Sequence, residues 1–476
     1  MDQPRRQPTI DPMGSPGLAA AVKKMRDADV DEVAVQTFAH YYRQLERGET
    51  GMIPESSIEP IDMPALADAE VSDEEAAAAI RTTAVIKLNG GLGTSMGMDR
   101  AKSLLCVRRG MSFLDVIARQ ILHLRKAYEA PLPLILMNSF RTSADTLDAL
   151  ARYTDLAVEG LPLEFHQNME PRLLADGLVP VSWPKDPGLE WCPPGHGDIY
   201  TALRGTGLLD ALLEQGYERV FVSNSDNLGA VPEAHVAGWF AGSGAPFAIE
   251  AVRRTPSDRK GGHFARRLAD GRIVLRETAQ VLPEDQKALQ DLSRHQFCST
   301  NNIWFDLRAM KEALDARDGI LGLPLIRNEK TVDPGDPTTP KVIQVETAMG
   351  AAIEVFEGAQ LVEVGRDRFI PVKTTNDLLV LRSDVYEIRD GFTLEQVAGE
   401  VPFIDLDSDY YKVVGEFEKR FPEGAPSLTK ATALRVKGDW TFGPSVQILG
   451  EVTLETDAAQ RIEAGTVFSD DTVEKS

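Results

Sequence analysis

Cysteine is scarce here: three in 476 residues, at Cys106, Cys192 and Cys298, far apart and without a Cys-x-x-Cys pair. That spacing argues against a disulfide framework or a cysteine-built zinc cage. Long apolar runs are missing too, none approaching the roughly 20 residues needed to span a bilayer. The opening stretch Met1–Gly17 is proline-rich and polar and lacks the apolar centre of a signal peptide, so a cytoplasmic setting is expected. Positive charge is in short supply, with 51 Lys and Arg against 73 Asp and Glu and a formal net charge of -22. A duplex-binding surface needs dense cations against phosphate, so no nucleic-acid partner is expected, nor a membrane partner. A nucleotide stays open, because it needs only a few cations focused in a cleft.

A chain of this length exceeds one compact core and predicts two or three structural units. Residues 1–16 read as a disordered tail. Between Gly17 and Glu46, apolar residues at helical spacing (Met25, Val30, Val33, Phe38, Tyr41, Tyr42, Leu45) predict one or two amphipathic helices. From the strand Thr83–Leu88 onward, strand and helix signals alternate. Helices are predicted at Phe113–Tyr128 and Ser143–Tyr153, and strands at Leu132–Met137, Leu161–Phe165, Arg219–Ser223, Pro246–Val252 and Asn302–Asp306. Such alternation predicts an α/β fold with a doubly wound sheet and ligands at the carboxyl ends of its strands.

The C-terminus has another period. Leu434, Trp440, Val446 and Val452 recur at hexad spacing, as do Val436, Phe442, Ile448 and Leu454. Two readings fit: a small parallel β-helix, which is favoured, or antiparallel hairpins. The resulting division is an N-terminal tail and helices over 1–80, a catalytic domain over 81–385 and a C-terminal β-helix domain over 386–476.

A glycine loop, Asn89-Gly90-Gly91-Leu92-Gly93-Thr94-Ser95-Met96-Gly97, follows the first strand directly. Glycines there let the backbone approach a ligand and turn N–H groups toward phosphate. The loop is not a P-loop, since no lysine follows Gly97 directly, and Gly91, Gly93 and Gly97 are spaced one residue too long for the dinucleotide fingerprint. Gly93-Thr94-Ser95-Met96-Gly97 matches the hydrolase elbow pattern, yet Ser95 falls inside a long loop rather than at a sharp apex. A glycine turn without a ligand is the plain alternative. Asp226 lies just past the apolar run Val220-Phe221-Val222, where a carboxylate either binds Mg²⁺ or caps the following helix.

The stretch Lys87–Gly97, continued by Ala101-Lys102-Ser103 and Ser112–Asp115, resembles the eukaryotic-type UTP–glucose-1-phosphate uridylyltransferase (UDP-glucose pyrophosphorylase) family. Further segments resemble it in the same order: Leu136–Phe140, Pro193–Tyr200, Val222–Gly229, Lys260–Gly262, Thr300–Trp304, Glu346–Ile353 and Pro371–Leu378. The related UDP-N-acetylhexosamine enzymes usually carry Arg-Leu where this chain has Ser95-Met96, which favours glucose. One departure is Arg100-Ala101 before Lys102, where the family usually has Gly-Pro.

The resemblance implies a nucleotidyltransferase core of the Rossmann-like, GT-A type with a left-handed β-helix appended, and UTP and glucose 1-phosphate as substrates. It implies Mg²⁺ on Asp226 and Lys373 as the catalytic cation, with Lys102 on the β- and γ-phosphates. Leu88, Asn89, Gly90 and Gly91 are implied to contact base and ribose, Gln167 to read the uracil edge, and Gly195 and Asn224 to meet the nucleotide. His196, Asn224, Gly262, Glu277, Asn301 and Asn302 are implied contacts of the sugar phosphate. A homo-oligomer through the β-helix is possible in principle, since its end coil exposes backbone that can pair. Competing readings are a uridylyltransferase for galactose or N-acetylhexosamine 1-phosphate, a silent sugar-nucleotide-binding regulator, and a hydrolase built on Ser95, Asp226 and His295.

Overall fold

A computed structural model describes residues 14–259, 261–470 and 473–475. Most of the tail expected over 1–16 lies outside the described residues; Ser15 accepts a hydrogen bond from Leu18 N at 3.2 Å and caps a helix, Pro16–Asp27. The chain divides into two compact units interleaved in sequence. The first holds residues up to Pro64, Phe165–Arg219 and Gly244–Glu363; the second holds Ala65–Glu164, Val220–Ser243 and residues from Val364. Together their elements make a mixed α/β fold with a parallel-rich central sheet.

In the second unit, Thr83–Leu88 is buried along nearly its whole length and pairs in parallel with Leu134–Asn138, Val85 opposite Leu134 and Leu88 opposite Met137. Arg219–Asn224 lies on its other edge. Continuous apolar strands of this kind need cover on both faces. The helix Phe113–Tyr128 buries Phe113, Leu114, Val116, Ile117 and Ile121, and a reciprocal Ser112–Asp115 capping box starts it where the sequence predicted. Helices Asp73–Arg81 and Ala234–Ser243 approach so closely at Gly238 that a Cβ there would lie 3.1 Å from Ala76 Cα.

After one antiparallel pair, Tyr386–Ile388 with Leu394–Gln396, the strands of this unit from Phe403 onward pair in parallel: Phe403–Leu406 with Ser427–Lys437, that strand with Gln447–Glu455, and Trp440–Phe442 with Gln460–Ile462. Leu434 stands opposite Val452 and Val436 opposite Leu454, so side chains three hexads apart stack. All eight hexad residues are buried. Parallel register sets aside the antiparallel hairpins among the described residues.

In the first unit, Pro16–Asp27 and Glu32–Glu46 bury Leu18, Met25, Phe38 and Tyr42 against Leu173, Leu325, Ile343 and Val345. Phe247–Arg253 pairs in parallel with Gln360–Glu363 and antiparallel with Phe297–Asp306. The latter strand starts five residues before the expected Asn302 because a bulge opposite Glu250 and Ala251 lets pairing resume beyond it. The strand expected at Leu161–Phe165 begins instead at Glu164, since Pro162 has no N–H to give a ladder. Among the described residues no helix is long and apolar enough to cross a membrane.

Candidate active site

The glycine loop is held by what surrounds it. Asn89 is buried, and its amide donates to Asn138 Oδ1 at 2.7 Å and Thr146 Oγ1 at 3.0 Å. Its backbone N–H donates to Met137 O at 2.8 Å, Ser139 Oγ donates to Gly90 O at 3.1 Å, and Lys102 N donates to Gly91 O at 3.0 Å. The backbone N–H groups of Gly90, Gly91 and Leu92 have no protein acceptor among the described residues. Carbonyls anchored inward and successive donors left over make a concavity suited to an anion or to base and ribose oxygens. Gly93 and Gly97 adopt φ of 64° and 72°, the left-handed region that favours glycine.

Lys102 reaches from the end of this loop. Its Nζ donates to Asp226 Oδ2 at 2.7 Å and to the Val372 carbonyl. Val372 N in turn donates to Asp226 O at 3.1 Å. The loop carrying Lys373 is thus tied to the strand end that carries Asp226, and Asn227 secures it further by accepting from Ile370 N at 2.9 Å. Lys373 follows Val372 directly; its backbone N–H donates to Asp377 Oδ2 at 2.8 Å in the cap of helix Thr375–Arg382. Its exposed side chain has no protein partner among the described residues. Asp226 does not cap a helix, since the next begins at Ala234. Asn224 ends the same strand, half-buried.

The sequence reading missed one support here. Lys87 is 1 % exposed within the apolar strand and donates to Ser223 Oγ at 2.7 Å and Ala230 O at 2.6 Å, fixing the segment on either side of Asp226. A lysine inside a buried strand was the available signal.

The first unit carries the other implied residues. Gly195 has φ of 78°, and a Cβ there would lie 2.5 Å from Thr347 O. Beside it, His196 Nδ1 accepts from Met349 N at 2.9 Å, which leaves Nε2 to carry the proton. Burial pushes the imidazole down to about 4, so His196 is a neutral donor at neutral pH. Gln167 is half-buried after the short strand Glu164–His166. Its neighbour Asn168 is clamped by Asp198, which accepts from Asn168 N at 2.6 Å and Nδ2 at 2.8 Å. Burial pushes the Asp198 carboxyl up to about 6 against the opposing effect of these hydrogen bonds. Neither Asn168 nor Asp198 was singled out from sequence.

Gly262 lies so close to Glu277 that a Cβ would sit 2.7 Å from Oε2. Asn301 occupies the strand bulge with φ of 58°, a turn that re-aims its side chain. Asn302 is fully buried, and its amide donates to Glu250 Oε2 at 2.9 Å, beside Trp304 Nε1 on Oε1 at 2.9 Å. It is a strut behind Asn301. The hydrolase reading fails: Ser95 sits in a short turn, Asp226 takes Lys102, and His295 Nε2 pairs with Glu55 Oε1 at 2.9 Å.

Residues 35–449 match the family profile described as UTP–glucose-1-phosphate uridylyltransferase. The chain belongs to that family. It is 39% identical over 383 residues to the UTP–glucose-1-phosphate uridylyltransferase of Hordeum vulgare, covering 80% of this chain and 78% of that one. The Saccharomyces cerevisiae protein of the same name is 38% identical over 80% of this chain and 75% of its own length. Among solved structures, a Leishmania major UDP-glucose pyrophosphorylase variant in complex with UDP-glucose superposes with a TM-score of 0.91 at 43% identity, covering 97% of this chain and all of that one.

Proposed function

We propose that this chain catalyses UTP + glucose 1-phosphate → UDP-glucose + pyrophosphate. A phosphate oxygen of glucose 1-phosphate attacks the α-phosphorus of UTP; the bond from that phosphorus to the oxygen bridging to the β-phosphate breaks, and pyrophosphate leaves with the electron pair. Two anions must meet in line, so positioning and charge cancellation carry such a reaction. The observation that carries the reading is the joint of Lys102, Asp226 and Val372, which sets one ammonium, one carboxylate and the backbone leading into Lys373 at one strand end. The Lys373 ammonium, without a protein partner among the described residues, stabilises the charged phosphates during transfer, and Lys102 serves the β- and γ-phosphates.

A divalent cation belongs to this reading, with Mg²⁺ on Asp226. The residues fit: a partly exposed carboxylate joined by phosphate oxygens and waters is a sufficient set of hard donors. When bound, Mg²⁺ neutralises phosphate charge. Backbone groups of Leu88, Asn89, Gly90 and Gly91 hold base and ribose, Gln167 reads the uracil edge with the donor and acceptor of its amide, and Gly195 and Asn224 complete the nucleotide contacts. His196 donates its Nε2–H to the sugar phosphate; Gly262, Glu277 and Asn301 contact hydroxyls, with Asn302 supporting Asn301 from behind.

The core is read as a doubly wound, GT-A type domain over 81–385, after N-terminal helices over 1–80. The parallel hexad coils are read as a left-handed β-helix domain over 386–476, whose end coil is the surface for a homo-oligomer. Three unpaired cysteines suit a cytoplasmic setting. Pyrophosphate release assayed with UTP, glucose 1-phosphate and Mg²⁺, each omitted in turn, tests the reaction. Release must require all three, and turnover must fall with galactose or N-acetylglucosamine 1-phosphate; silence with every sugar leaves the regulator.

A further inference from the structure

Away from these groups, the first unit buries two imidazoles. His263 opens the strand His263–Arg267 and His295 lies just before Phe297–Asp306; they are 0 % and 1 % exposed. Their rings stack 3.9 Å apart at 26°. Neither ring nitrogen of His263, nor Nδ1 of His295, has a hydrogen-bond partner among the described residues. Glu55 completes the group, and one ligand atom from each residue falls within 4.8 Å of the other two.

We propose that Glu55, His263 and His295 form a buried binding site for a borderline-soft divalent transition ion of the zinc class. Buried imidazole nitrogens without partners are costly in a structural core and are what such an ion takes as ligands. Two nitrogen donors and one carboxylate favour zinc over magnesium, which prefers oxygen throughout.

Three guanidiniums, Arg254, Arg276 and Arg294, stand near the pair, and carboxylates offset part of their charge. Glu55 Oε2 accepts from Arg276 Nη1 at 2.6 Å, and Arg276 also meets Asp285 at 2.8 Å, so the inner guanidinium is neutralised by a second carboxylate. Glu55 Oε1 accepts from His295 Nε2 and from Arg294 Nε at 2.6 Å. Arg294 is exposed and free to swing into water, which releases Oε1 to an ion. Ligands at tetrahedral zinc stand roughly 3.3 Å apart with each ring plane aimed at the ion, so loading turns one imidazole out of the stack to bring both lone pairs onto it. The ion would staple three segments distant in sequence: the turn Glu55–Ser57, the hairpin strand after Gly262, and the approach to the bulged strand.

The test uses the full chain stripped with chelator and dialysed against Zn²⁺ alone or Co²⁺ alone. One equivalent of Zn²⁺ is expected, undisturbed by excess Mg²⁺, together with the strong visible bands of tetrahedral Co²⁺ and a zinc-dependent rise in Tm. His263→Gln and His295→Gln should each weaken Zn²⁺ by more than about tenfold. The exposed His235, beside Glu233 and Asp73, is the control, and His235→Gln should change nothing. Stoichiometry retained in the His263 and His295 variants, or lost only in His235→Gln, overturns the proposal. If those variants fail to fold, the wild-type cobalt spectrum decides: an octahedral, weakly coloured ion overturns it.

Discussion

Lys102 Nζ lies 2.7 Å from Asp226 Oδ2, and the same ammonium also holds the Val372 carbonyl. One side chain therefore joins the exit of the glycine loop, the carboxylate at the strand end and the residue before Lys373. An enzyme that must bring two polyanions together gains from cations whose positions are fixed before substrate arrives. Lys102→Met and Asp226→Asn should each lower kcat/KM by about 10²–10³, the scale of losing one preorganised charge partner. Because they act as a unit, the double variant should lose far less than the product of the singles. Steady-state pyrophosphate release checks this; multiplicative losses would contradict a shared role.

Lys373→Ala addresses a different quantity. The backbone of Lys373 is fixed by Asp377, but its ammonium makes no protein contact among the described residues, so its removal should leave the fold intact. Turnover should fall by about 10²–10³ while UTP binding, followed by calorimetry, falls only slightly. Near-normal kcat would remove Lys373 from the chemistry.

Gly195→Ala tests the loop of the first unit that carries His196. The residue sits at φ of 78°, and a Cβ would press within 2.5 Å of Thr347 O and 2.9 Å of Thr347 N. Neither neighbour is a flexible side-chain end, so the loop must move, and with it the His196 imidazole that depends on Met349 N. A loss of at least about tenfold in kcat/KM with a lower Tm is expected, since such φ strain costs about 1–3 kcal/mol. An Ala variant with wild-type kinetics would show that the loop does not serve the substrate.

How far the residues announced these arrangements depended on range. Short-range signals read well: the alternation of strand and helix signals predicted the helix Phe113–Tyr128, and the hexads of Leu434 and Val436 predicted side-chain burial that the parallel register explains. The loop lysine and Asp226 were picked as separate candidates, yet nothing local says that their side chains touch across 124 positions. The Asp198–Asn168 clamp was invisible for the same reason. The different settings of Asn301 and Asn302 were not legible either, because they follow from a bulge in which Thr300 and Asn301 are both skipped in the pairing and Asn301 takes a left-handed φ. The buried pair His263 and His295 escaped notice because the two lie on different segments and only the fold stacks them.

Asp198 yields the pH dependence. Its carboxyl is pushed up to about 6 by burial, while accepting two hydrogen bonds from Asn168 that need the ionised form in full. As pH falls through about 6 the carboxylate gains a proton and one acceptor site is lost, so the clamp behind Gln167 loosens and the KM for UTP should rise. Stability runs the other way: a carboxyl whose pKa is raised on folding contributes stability that is complete below about 3.9 and is lost as pH rises through about 6. His196 opposes it, because an imidazole depressed to about 4 contributes stability present above about 6.5 and lost as pH falls through about 4. The two slopes offset each other between these limits, and Asp198→Asn separates them. In that variant urea-unfolding stability should rise more steeply with pH between about 4 and 6 than in the wild type, since the opposing Asp198 slope is gone, and the KM for UTP should already be high at pH 8 with no further rise in acid. A variant that keeps both the wild-type KM and its acid rise would show that Asn168 owes its position to some other group.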